Sequence, residues 1–215
     1  AAVLLLAAPV LFPAWRFLAQ PAQLPAFGGG LDELWRTLAS FAVFGTLFLL
    51  LPALDQLVRR RGTLRGSGFG LGDWRAGLRW VAPGLPLALL IAWLGSTMAD
   101  VRAEYPVCRL LLQRPDLLPW YAIGYALLYY VAWEGFFRGW LLFGLAEHFG
   151  RPTAVFVQTA ASALAHLGKP AGELWGSIPF GLLLGALALR SNSIWYGWLL
   201  HVALGVATDA LVVHG

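Results

Sequence analysis

Charge is scarce in this chain. Only 12% of its 215 residues are Asp, Glu, Lys or Arg, about half the share of an ordinary soluble domain. A water-soluble fold of this size cannot hide the 59% of residues that are hydrophobic, so the composition excludes a soluble globule and asks for a bilayer as solvent. Cysteine is nearly absent. The single Cys108 excludes a disulfide framework and a cysteine-based metal cluster. Lysine occurs once, as Lys169, against fourteen arginines, a compositional pointer to a GC-rich bacterial genome. A pI near 9.6 would suggest nucleic acid in a soluble protein. Here the arginines read as topological, with no nucleic-acid partner. Internal repeats, low-complexity segments and a soluble domain are also lacking.

What is abundant is apolar sequence, with eleven Trp, many near the ends of apolar runs where an aromatic belt sits. Candidate spans are roughly 1–18, 37–58, 80–98, 118–147, 152–167, 174–189 and 193–213. The expected fold is therefore an all-α, polytopic transmembrane helix bundle of about seven spans, a single integral membrane domain over 1–215. Within it, 1–117 reads as variable N-terminal helices and loops, and 118–213 as the core carrying the motifs. No charged n-region precedes residues 1–18, so this run reads as a spanning helix rather than a removed signal. Pro52, Pro83 and Pro86 predict kinks in the second and third spans. Residues 59–79 read as a glycine-rich loop leading into an amphipathic segment around Trp74–Trp80. Ser177, Gly181 and Gly185 repeat every four residues, a small-residue face for close helix contact. Loops after spans two, four and six hold Arg59, Arg60, Arg61, Arg65, Arg75, Arg79, Arg151 and Arg190. The positive-inside rule places that set in the cytoplasm. The other loops mix Arg16, Arg36, Arg102, Arg109, Arg114 and Lys169 with Asp32, Glu33, Asp100, Glu104, Asp116 and Glu173.

Ionisable groups inside spans are costly and mark function by default. Tyr130, Glu134 and Arg138 follow at i, i+4 and i+8 in the fourth span, the favourable order for a helical Glu–Arg pair. Gln158, Ser162 and His166 make a polar stripe on the fifth, and His201 precedes Thr208 and Asp209 on the seventh. The plain alternative is packing: a mutually neutralised ion pair and two hydrogen-bonded histidines. Depth argues against it. At 1.5 Å per residue, Glu134 and His166 both lie about 20 Å from the His148–Arg151 turn, and His201 about 15 Å from the same side. A carboxylate and two imidazoles at one level can activate water and stabilise an oxyanion. They could instead ligate zinc with an open position, although no H-E-x-x-H motif is present. A Ser162–His166 dyad lacks a nucleophile elbow and ranks third.

Three segments carry a resemblance: Trp133-Glu134-Gly-Phe-Phe-Arg138, then Ala-Leu-Ala-His166-Leu-Gly-Lys-Pro, then Ser193-Ile-Trp-Tyr-Gly-Trp-Leu-Leu-His201. In order and spacing they resemble the CPBP family, which contains the CAAX prenyl proteases and bacteriocin-processing relatives, glutamic-type intramembrane endopeptidases. The resemblance implies a metal-independent intramembrane protease with no cofactor. It implies that a first glutamate activates water with the histidine matching His166, that the histidine matching His201 serves the oxyanion, and that Glu134 matches a second glutamate paired with arginine. The expected catalytic residues here are Glu134, taking over as base, with His166 on water, and His201 on the oxyanion. Arg138, Asp209, Tyr130 and Ser162 are the expected supporting residues. Three positions depart from the family pattern. Trp133 stands where a first glutamate is usual, Ser162 where an aromatic is usual, and Gly205 where an asparagine joins the third-motif histidine.

The implied substrate is a membrane-tethered protein or peptide, and the implied setting is a lipid bilayer, the bacterial inner membrane. Under the charge-derived topology the site lies in the outer half of that bilayer. Two other classes compete: a catalytically inactive scaffold or immunity-type peptide-binding protein, and a small transporter using Glu134 and the histidines as a proton relay.

Overall fold

The computed structural model describes residues 2–55, 57–58 and 64–215, without the side chains of Leu64 and Arg65. Arg59, Arg60, Arg61 and the Arg65 side chain, half of the charge set that orients the chain, lie outside the described residues, as does Gly62.

Among the described residues the chain is helical and holds no strand. The long elements are α1 (Ala2–Leu18), α2 (Asp32–Asp55), α3 (Trp74–Ser96), a short α4 (Ala99–Glu104), a rod α5 over 118–149, α6 (Arg151–Leu164), α7 (Ala171–Ser191) and α8 (Trp195–His214). Four of them, α2, α3, α7 and α8, are long and apolar enough to cross a membrane. The remaining three expected spans are present as helices but are short or irregular: α1 has 17 residues and α6 has 14. The expected count of seven therefore exceeds the four that length and composition support.

Local chemistry explains the element ends. Trp74 begins α3 outright rather than a separate amphipathic segment, because the Asp73 side chain accepts from Ala76 N at 3.0 Å and caps the helix. Pro83 and Pro86 sit within α3 without ending it. Asn192 closes α7 in the left-handed conformation at φ 55°, which asparagine tolerates. Just before α3, Gly72 has φ 53°, and a Cβ there would collide with Ser191 O. That close approach, together with Asp73 N donating to Ser191 O at 2.7 Å, ties the loop to the α7–α8 turn.

Packing follows two kinds of seam. One is small-residue contact: Gly181 and Gly185 of α7 lie against Thr159 and Gln158 of α6, and Gln158 Nε2 donates to Gly181 O at 2.9 Å. The other is aromatic. Phe41, Phe44 and Phe48 of α2 interleave with Tyr125, Tyr129, Trp133 and Phe136 of α5, with ring centroids 4.3–6.1 Å apart. Each such pair adds roughly 0.5–1.5 kcal/mol beyond its buried area. By contrast α3 exposes Leu78, Leu87, Leu89, Leu90, Ile91, Trp93 and Leu94, an apolar face of the kind that meets lipid.

Candidate active site

The rod α5 is not a regular helix. It changes to a wider π-helical register at Tyr125–Tyr130 and again at Gly135–Leu141, leaving only Val131–Glu134 as an α-helical turn between them. Such insertions accompany functional sites because they re-aim side chains within a continuous helix. Here they bracket Glu134. Trp198 Nε1 of α8 donates to Ala126 O in the first widened stretch at 2.9 Å.

Glu134 is fully buried, with 0% exposure. Its Oε1 receives His201 Nδ1 at 2.7 Å. Arg138 Nη1 lies 3.6 Å from the same oxygen, an ion pair beyond hydrogen-bond length. Among the described residues, neither Glu134 Oε2 nor Arg138 Nε and Nη1 finds a hydrogen-bond partner. A Cβ on Gly197 would sit 3.2 Å from Oε2, so the smallest residue on α8 is what admits the carboxylate.

His166 lies just past the end of α6, and its Nδ1 meets Ser162 O at 2.8 Å. A carbonyl can only accept, so Nδ1 carries a proton, and on the neutral ring Nε2 holds the lone pair. That Nε2 is 3.8 Å from Glu173 Oε1. The contacts of Glu134 thus run to His201 and Arg138, and those of His166 to Ser162 and Glu173. Trp133 stands between them, its ring edge-on to His166 at 5.2 Å and to His201 at 6.1 Å.

Two cavities, of about 300 Å³ and 580 Å³, meet along one wall. Tyr105, Tyr130, His166, Glu173 and His201 border both. Arg138 borders the smaller and Trp133 the larger, while Glu134 stands behind His201 and borders neither. Tyr130 packs on His201 with centroids 4.6 Å apart. Its hydroxyl occupies the space above Gly205, where any Cβ would strike it.

The supporting residues divide. Tyr130 and Arg138 border the cavities. Asp209 is wholly buried, accepts from Tyr121 Oη at 2.8 Å and so ties α8 to α5, and borders neither cavity. Ser162 Oγ donates to Thr159 O at 3.1 Å, so it serves its own helix. His166 engages the Ser162 carbonyl, not its hydroxyl. Gln158 is likewise spent on the α6–α7 seam.

Glu173 was missed at the sequence level, where it counted as a loop charge. In the structure Tyr105 Oη donates to its Oε2 at 2.8 Å. Lys169 Nζ donates to Glu104 Oε1 at 2.6 Å and to Tyr105 Oη at 3.4 Å. The signal was the tight turn Gly168–Pro170, which sets the first turn of α7 against the end of α6 that carries His166.

These features define a class, a helical integral membrane protein with a buried acid–base cluster behind a cleft. Residues 115–207 match the family model described as type II CAAX prenyl endopeptidase Rce1-like. The matched segment contains Glu134, His166 and His201, is consistent with membership of the CPBP family, and points to a CAAX-type protease. No curated protein and no solved structure matches the chain.

Proposed function

We propose that the protein is an intramembrane endopeptidase that hydrolyses a peptide bond in a membrane-tethered protein or peptide, without a metal or other cofactor. One observation carries this reading. Two histidines and a tyrosine hydroxyl share a cleft wall, with a carboxylate hydrogen-bonded behind one histidine.

In this mechanism His166 Nε2 takes a proton from water as the water oxygen bonds to the scissile carbonyl carbon. The carbonyl electron pair moves onto oxygen. His201, its ring held by Glu134 at Nδ1, faces that oxyanion with its Nε2 edge, beside the Tyr130 hydroxyl above Gly205. The C–N bond then breaks and the His166 proton passes to the leaving amine. Glu134 acts through His201, holding its ring, rather than on water directly. Trp133 closes the position where the family pattern has a glutamate.

The alternating charge pattern favours a site in the outer half of a bacterial inner membrane, which suits an exported, tethered substrate. The test is a single-turnover assay of purified protein in bilayers against a library of membrane-tethered peptides. Cleavage that survives chelators and falls at least about 100-fold in His166→Ala is expected. Cleavage lost to a chelator and restored by zinc would make Glu134, His166 and His201 metal ligands instead. Peptide binding without cleavage would leave a scaffold.

A further inference from the structure

The peptidase reading leaves one role without an owner on α5. The family pattern assigns water activation to a carboxylate paired with the second-motif histidine, yet Trp133 occupies that position and Glu134 is turned to His201. We propose that Glu173, from the first turn of α7, is the carboxylate that holds and polarises the hydrolytic water together with His166. The proposal rests on the peptidase reading and names a catalytic residue for it.

Four observations converge. First, Glu173 Oε1 lies 3.8 Å from His166 Nε2. That is too long for a direct hydrogen bond but suits one water bonded to both at about 2.8 Å. Second, His166 offers Nε2 as an acceptor because Nδ1 is committed to Ser162 O. Third, Glu173 is the one carboxylate among the described residues that border both cavities. Fourth, its other oxygen is fixed by Tyr105 Oη at 2.8 Å, so Oε1 is the free face of a held group. Lys169 approaches the same tyrosine at 3.4 Å and pairs with Glu104. Tyr105 and Lys169 are thus positioning residues around Glu173.

The step balances with water as the co-reactant. One O–H bond breaks, its proton goes to the Glu173–His166 pair, and the oxygen forms the new C–O bond. When the C–N bond breaks, the same proton leaves on the amine. A carboxylate has thereby moved from one helix to another while keeping its histidine.

The test measures single-turnover cleavage of a membrane-tethered peptide already shown to be cut by wild-type protein. Glu173→Gln should lose at least about 100-fold in rate, the usual size of a general-base contribution, with KM unchanged. Glu173→Asp, which keeps the charge but withdraws it by one methylene, guards against a folding defect and should lose about tenfold or more. Glu173→Ala should regain cleavage on adding formate but not chloride, a rescue that a structural role would not give. Tyr105→Phe should slow cleavage less than Glu173→Gln does. A folded Glu173→Gln protein that cleaves within threefold of wild type overturns the assignment and leaves the peptidase reading standing. Failure of formate to restore a folded Glu173→Ala protein also overturns it. Wild-type protein inert towards every tethered peptide instead overturns the peptidase reading, and this assignment with it.

Discussion

Glu134 carries two partners on one oxygen, and that arrangement sets what each substitution does. Its Oε1 serves His201 at 2.7 Å and Arg138 at 3.6 Å. Glu134→Gln removes the charge while keeping the shape, so His201 keeps its place but loses the carboxylate behind it. Cleavage should fall about 100-fold, through kcat rather than KM. An unchanged rate would mean that Glu134 only packs. Gly205 makes a second residue-scale case. The family pattern has an asparagine there, but the Tyr130 hydroxyl fills the space a side chain would need. Gly205→Asn should therefore destabilise the protein by roughly 1–3 kcal/mol, seen as a lower melting temperature in detergent. Adding Tyr130→Ala should recover part of that loss.

At the scale of elements, two seams hold the cluster. The aromatic seam between α2 and α5 fixes the rod that carries Tyr130, Trp133, Glu134 and Arg138. Trp133 belongs to that seam as much as to the site, packing on Phe12, Phe44, Tyr129 and Phe137. The small-residue seam between α6 and α7 fixes the distance from His166 to Glu173. A Cβ on Gly185 would approach Gln158 Nε2 to 2.6 Å, and Gln158 also bonds to Gly181 O across the seam. Gly185→Leu should thus cost roughly 1–3 kcal/mol of stability, from overpacking. It should also slow cleavage, as α7 is pushed off α6 and the water site widens. A variant with wild-type melting and wild-type rate would show that the seam is not needed.

At the scale of the whole molecule, the loops sort onto two faces. Arg16 Nη1 donates to Leu167 O at 3.1 Å, Glu33 Oε1 accepts from Leu110 N at 3.1 Å, and Lys169 pairs with Glu104 at 2.6 Å. The loops around residues 19–31, 99–117 and 165–170 therefore share one face, and the α5–α6 and α7–α8 turns fall on the other. Cysteine labelling in sealed vesicles tests this directly. Cys108 gives a blank background, being wholly buried, with its thiol pushed up to about 11 by that burial. At neutral pH it stays protonated and unreactive. Gly28→Cys and Asp100→Cys should label from the same side, which the charge pattern makes the outside. Arg151→Cys should label from the opposite side. Labelling of Gly28→Cys and Arg151→Cys from one side would break the proposed topology.

The sequence by itself determined the solvent, the helical class and the residues worth watching. Hydrophobic composition and run length depend only on local sequence, and a bilayer responds to both without further information. The rarity of charge in apolar runs made Glu134, Arg138, His166 and His201 stand out, and the four-residue spacing of Ser177, Gly181 and Gly185 showed where a helix approaches closely. Straight-helix depth also brought Glu134 and His201 to one level, where they bond. What it could not set was which charge faces which. Partner choice depends on rotation about each helix axis, and α5 shifts its register twice around Glu134. Tertiary packing alone turned Glu134 to His201, stood Tyr130 over Gly205, and drew Glu173 out of a loop tally to within 3.8 Å of His166. A wider helical turn and a six-residue corner between helices leave no periodic trace in a sequence, yet they decide where each oxygen and nitrogen points.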